Sequence, residues 1–143
     1  MRLSPHFTLE EMVASATANK LGIKNKPTSS EVKNLGYLCN NLLEPLRNII
    51  GKPICVSSGY RCEELNKAVG GSSTSQHRYG QAVDIYVNGM SAKTLYLTIK
   101  QSKLVYDQLI YETTKQAEWV HISFAKHNRH QNLIYKNGKY SLD

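Results

Sequence analysis

"SQHRYGQAVDIYV", residues 75–87, joins a polar loop to an apolar strand. From residue 82 the pattern has period two. Side chains of a strand alternate between its faces, so Val83, Ile85 and Val87 share one face, and Ala82, Asp84 and Tyr86 the other. A carboxylate in such a strand is costly to bury unless a partner offsets the cost. His77 stands seven residues before Asp84, and Gly80 lets the intervening loop turn back.

A second strand has the same division. In "WVHISFA", residues 119–125, Val120, Ile122 and Phe124 share one face, and Trp119, His121 and Ser123 the other. If the two strands lie side by side in register, Asp84 meets His121, and His77 completes a His–Asp–His set. Three such ligands with an open fourth position make a catalytic zinc site. On spacing alone a second reading stands beside this one. Asp84 pairs with a lysine or arginine, and the histidines are surface or capping residues.

Glu118 sits three residues before His121. A carboxylate near a metal is a good acceptor for the proton of an attacking water. Residues three apart in a regular strand point to opposite faces. Glu118 therefore faces the metal only if the strand begins after it or a bulge precedes Trp119. "TTKQAE" (113–118) reads as a turn, which favours the first case; otherwise Glu118 is an ordinary strand-edge carboxylate. Arg61 closes "SSGYR" and has the fork that grips carboxylates and oxyanions, though a lone arginine equally suits a surface salt bridge. Ser75 and Gln76 are candidate hydrogen-bond donors to substrate, or plain loop residues.

Upstream, the chain reads as helical. Thr8 to Glu11 forms a capping box, and Phe7 with Met12 has staple spacing. Gly22 and Pro27 break the chain. Thr28 to Glu31 is a second capping box, opening a long helix with an apolar stripe of Val32, Leu35, Cys39, Leu42, Leu46 and Ile49. Pro45 predicts a kink or break in it. "ICVSS" (54–58) predicts a strand, "CEELNKAV" (62–69) a short helix, and 91–102 an amphipathic helix capped by Ser91. Residues 106–112 predict another strand, and Asn137-Gly138 a terminal hairpin. Helices come early and strands late, the order of an α+β fold with helices on a mostly antiparallel sheet.

The chain has 143 residues, 41% hydrophobic and 20% charged, which suits one globular domain over 1–143. No apolar run approaches the roughly 20 residues that span a bilayer, and the first residues lack a signal-peptide core. The expectation is a chain made and left in the cytoplasm unless lysis or another route releases it, with no membrane partner. Three cysteines are too few for a disulfide framework, although Cys55 and Cys62 flank a turn and leave one pairing open. The net charge of +7 suits anionic partners or simple solubility. The lysines are scattered, with no dense basic block, so nucleic acid is not an expected partner.

Taken together, "SSGYR", "LNKAVGGS", "SQHRYGQAVDI" and "EWVHISF" resemble the M15 zinc peptidases: D-Ala-D-Ala carboxypeptidases, vancomycin-resistance dipeptidases and phage endolysins. The likeness runs over about residues 6 to 135. It implies the hedgehog/DD-peptidase fold, a small antiparallel sheet that carries zinc with helices packed on it. It also implies His77, Asp84 and His121 as zinc ligands, Glu118 as catalytic base, Arg61 on the scissile carbonyl or oxyanion, and Ser75 against substrate. The function so implied is a monomeric, zinc-dependent hydrolysis of a peptidoglycan stem-peptide bond, D-Ala-D-Ala or L-Ala-D-Glu. Substrate choice would lie in the 62–76 and 86–92 loops. The alternative is a zinc-containing, non-catalytic binding module on a hedgehog-like fold.

Overall fold

The computed structural model describes residues 1–143. A short hairpin opens the chain, β1 (Arg2–Ser4) and β2 (Phe7–Thr8), which the sequence patterns did not suggest. Two helices follow, α1 (Leu9–Val13) and α2 (Ala16–Leu21). The Thr8–Glu11 capping box is formed, and Ser15 caps α2 as a separate helix. The Thr28–Glu31 box starts α3 (Ser29–Leu38).

Of the kink or break expected at Pro45, the helix shows no break, and its regular register is interrupted just before the proline. A π-helical turn, Cys39–Leu43, joins α3 to α4 (Glu44–Ile50), and the amide of Glu44 bonds the Cys39 carbonyl. Proline removes one amide and crowds the carbonyl four residues back. A wider π register just before it accommodates both effects without ending the helix. The extra residue rotates the apolar stripe. Ile49 is 51% exposed, while Ile50 packs against the core.

The main sheet has six strands: β3 (Cys55–Ser58), β4 (Ala82–Tyr86), β5 (Gln108–Thr113), β6 (Glu118–Ser123), β7 (Gln131–Lys136) and β8 (Lys139–Leu142). Their order is β3-β4-β6-β5-β7-β8. Helix α5 (Glu63–Ala68) and a 3-10 turn (Gln76–Tyr79) lie between β3 and β4, and α6 (Ala92–Lys100), capped by Ser91, follows β4. The sheet is antiparallel except for β5 against β7, which run parallel. The chain leaves β6 and crosses to the far side of β5. Asp107 pins that crossover: it accepts bonds from the amide, Nε and Nη2 of Arg129 at 2.8–2.9 Å. The Asn137-Gly138 turn has φ of 53° and 75°, the positive pair that a two-residue hairpin requires.

One face of the sheet is the core. Val83, Ile85, Val120, Ile122 and Leu109 are fully buried with Leu35, Leu38, Leu42, Leu43 and Leu46 of the long helix and Leu95, Tyr96 and Ile99 of α6. The long helix and α6 cover this side, and the opposite face carries Asp84 and His121. All three cysteines are free thiols.

Candidate metal centre and its cavity

Register brings the site together. Asp84 pairs directly with His121, one rung of the β4–β6 ladder. Opposite residues in neighbouring strands put their side chains on the same face a few ångströms apart. His77 arrives on the 3-10 turn before β4. Ser75 caps that turn, its hydroxyl accepting from the His77 amide at 3.3 Å, and Gly80 ends it with φ +70°. A Cβ at Gly80 would stand 2.5 Å from the Glu31 carbonyl oxygen, so only glycine fits.

Donor atoms of His77, Asp84 and His121 all lie within 4.8 Å of one another. Asp84 Oδ1 is 3.3 Å from His77 Nε2 and 3.1 Å from His121 Nδ1. A tetrahedral zinc with bonds of about 2.0–2.1 Å spaces neighbouring ligands about 3.3 Å apart. The tautomer of His77 sharpens the case. Its Nδ1 lies 2.7 Å from the Gly59 carbonyl, which can only accept, so Nδ1 carries the proton. Nε2 of the neutral ring therefore turns a bare lone pair toward a carboxylate oxygen, an arrangement that asks for a cation between them.

Charge follows the same logic. Burial lowers the pKa of His77 against the opposing pull of Asp84, so the ring is neutral at neutral pH. Burial also works against the anion of Asp84, but the neighbouring His77 and His121 outweigh it and hold the carboxyl below its usual range. The outcome is an ionised Asp84 beside a neutral His77 ring. That donor set suits a divalent metal.

Arg61 reaches the same place from the loop after β3. Its Nη2 is 3.8 Å from Asp84 Oδ2. The rest of its fork is held: Nε donates to Ser58 Oγ at 3.2 Å and Nη1 to Asn66 Oδ1 at 3.1 Å. Asn66 in turn donates to the Ser72 carbonyl. Gly71 is the glycine that this clamp needs, since a Cβ there would fall 2.1 Å from Asn66 Oδ1 and 2.9 Å from Arg61 Nη1. Partial burial lowers the pKa of Arg61, with Asp84 and Glu112 pulling the other way.

Glu118 is not in the site. Strand β6 begins at Glu118 and pairs without a bulge, Thr113 to Glu118 and Ile110 to His121. The odd spacing from His121 therefore turns Glu118 to the other face, where it is exposed and accepts from the Tyr111 hydroxyl at 2.7 Å. That bond pushes the Tyr111 phenol up to about 12. The carboxylate that does face the centre is Glu112, opposite Trp119 on the same ladder. Its Oε2 is 3.8 Å from His121 Nδ1. Burial raises its pKa, opposed by His121 and reinforced by Asp84. The sequence signal for it was the one that picked out Asp84: a carboxylate on the non-core face of an apolar strand, here "YDQLIYE".

Together these residues line a cavity of about 630 Å³, with Ser72, Ser75 and Gln76 on one wall and Trp119, Tyr135 and Tyr140 on another. Gln76 donates to Asp107 at 2.9 Å, and its buried Oε1 has no partner. Trp119 Nε1 also lacks a well-aligned partner, though it lies close enough to Glu112 to favour the ionised carboxylate. Ser75 thus lines the cavity while capping the turn that carries His77.

The family described as Peptidase M15 matches residues 5–123 of the chain. Over 44 residues the chain is also 46% identical to a zinc D-Ala-D-Ala carboxypeptidase of Streptomyces albus G. The matched stretch covers 30% of this chain and 17% of that relative.

Proposed function

The chain belongs to the peptidase M15 family, and from that premise we propose that it is a zinc peptidase cleaving a peptide bond in peptidoglycan stem peptides, D-Ala-D-Ala or L-Ala-D-Glu. The sheet with one helix-covered face and one metal-bearing face is read as the hedgehog/DD-peptidase fold. The observation that carries the reading is the His77–Asp84–His121 triangle, whose unprotonated Nε2 and ionised carboxylate converge at ligand spacing.

These three residues would hold the metal. Zinc, when bound, supplies Lewis-acid chemistry, polarising a carbonyl and making water acidic enough to attack near neutral pH. Glu112 takes the proton of the attacking water and returns it to the leaving amine. A carboxylate whose pKa burial has raised is better matched to both transfers than an exposed one. Arg61 is pre-aimed by Ser58 and Asn66, and offers its remaining arm to the negative charge that develops on the carbonyl oxygen. Ser75 and Gln76 meet substrate on the polar wall. A non-catalytic zinc module has no use for a buried carboxylate beside the metal ligands, and Glu112 weighs against it.

The test is amine release from defined stem peptides by the zinc-loaded protein, repeated after a chelator and again after zinc is restored. Release that follows the metal supports the proposal; a fully loaded protein that releases nothing from any stem peptide overturns it.

A further inference from the structure

The metal-bearing face continues well past the metal. Cross-strand pairing sets two adjacent rows on it. One runs Asp84, His121, Ile110, Leu133 and Leu142; the next runs Trp119, Glu112, Tyr135 and Tyr140. The outer members belong to the β7–β8 hairpin, which lies beyond the residues 5–123 that the family matches. Tyr135 and Tyr140 pack ring on ring, centroids 4.6 Å apart and planes tilted by 52°. Tyr140 is nevertheless 59% exposed, and both rings line the same cavity as the ligands. This is a solvent-facing aromatic ledge, continuous with the catalytic floor.

Strand spacing measures its reach. Neighbouring strands are about 4.8 Å apart. Tyr135 stands two strands from His121 and Tyr140 three, so measured across the strands the ledge begins about 10 Å from His121 and ends about 14 Å from it. An extended peptide advances about 3.3–3.6 Å per residue. An arm of about three to four residues covers that span, and a dipeptide stops short of it.

We propose that Tyr135 and Tyr140 form a specificity subsite that holds an extended peptide arm, three to four residues from the scissile bond, so that the enzyme acts on long or polymer-attached stem peptides in preference to free dipeptides. Aromatic rings present large, rigid faces to apolar side chains at small entropic cost, and the row arrangement lets successive residues of the arm lie across successive strands. This inference rests on the peptidase reading.

The experiment has two readouts. Peptides sharing one scissile bond, with arms of one to four residues on either side, are assayed for kcat/KM with the wild type, Tyr140→Ala and Tyr140→Phe. On at least one side the wild type gains about tenfold or more as the arm lengthens, Tyr140→Ala loses much more kcat/KM on long arms than on short ones, and Tyr140→Phe keeps the gain. Separately, the fluorescence of Trp119, the chain's only tryptophan, is titrated with an uncleavable four-residue-arm peptide on metal-free protein. Tyr140→Ala weakens that binding about five- to tenfold. Hydrolysis with no dependence on arm length, or an equal loss by Tyr140→Ala at every length, overturns the subsite. Arm-dependent binding without any hydrolysis supports the ledge and instead removes the peptidase reading.

Discussion

Glu112 Oε2 stands 3.8 Å from Nδ1 of His121, on the face of the sheet from which Glu118 is turned away. The two glutamates lie in adjoining strands within the same hairpin, and only Glu112 shares the cavity with His77, Asp84 and His121. The assignment of proton transfer follows from that difference.

Replacing Glu112 with Gln keeps the zinc and the fold and lowers kcat by about 10²–10⁴-fold, the usual worth of a positioned acid–base group. Glu118→Gln stays within a few-fold of wild type, because it loses only an exposed bond with Tyr111. Turnover and zinc content measured side by side decide between them. Reversed effects would return the base to Glu118 and require β6 to bulge.

Removing ligands removes metal. His77→Ala and His121→Ala each lower bound zinc well below one per chain, and the double variant retains essentially none. Elemental analysis after dialysis reads this directly, without reference to activity. Zinc retained in the double variant would show that the metal sits elsewhere.

Arg61→Lys keeps a charge but loses the planar fork that binds Ser58 and Asn66 while leaving one arm for substrate. The expected result is a fall of about tenfold or more in kcat/KM with a thermal midpoint shift of only about 2–4 °C. A midpoint that collapses along with turnover would mark Arg61 as part of the fold.

Asp107 sets an acid limit on stability. Hydrogen bonds from Arg129 are the largest influence on it, and they hold its carboxyl below the ordinary value of 3.8 against a smaller burial effect. A folded-state pKa below the unfolded one gives a stabilisation that is complete above the unfolded value and is lost as pH falls through the folded one. Asp107→Asn therefore costs about 1–2 kcal/mol at neutral pH, modest for a buried carboxylate because Arg129 is mostly exposed. The cost shrinks toward zero in strong acid. Denaturant melts at pH 7 and at pH 2–3 check it, and a cost that does not change with pH would exclude the ionised pair as its source.

Local chemistry made a good part of this protein legible. Both capping boxes, the Asn137-Gly138 hairpin and the faces of β4 and β6 depend on residues within a few positions of each other, and each formed as the pattern indicates. The His–Asp–His set was legible for the same reason. Strand parity placed Asp84 and His121 on the non-core faces of two strands, and one pairing brought them together. Long-range structure decided the rest. The π turn before Pro45 depends on the whole of a buried helix staying packed. The parallel pairing of β5 with β7 depends on Asp107 and Arg129 meeting across the crossover. Sequence spacing relates Glu118 to His121 alone, and a small change at the strand's start settles its direction. The ladder between β5 and β6 is regular from its first rung, so parity turns Glu118 away. The same ladder sets Glu112, nine residues from His121 in the chain, beside it. Side-chain direction is a local property of a strand, whereas the neighbours it meets are set by strand order and register, which arise only when the entire sheet closes over one core.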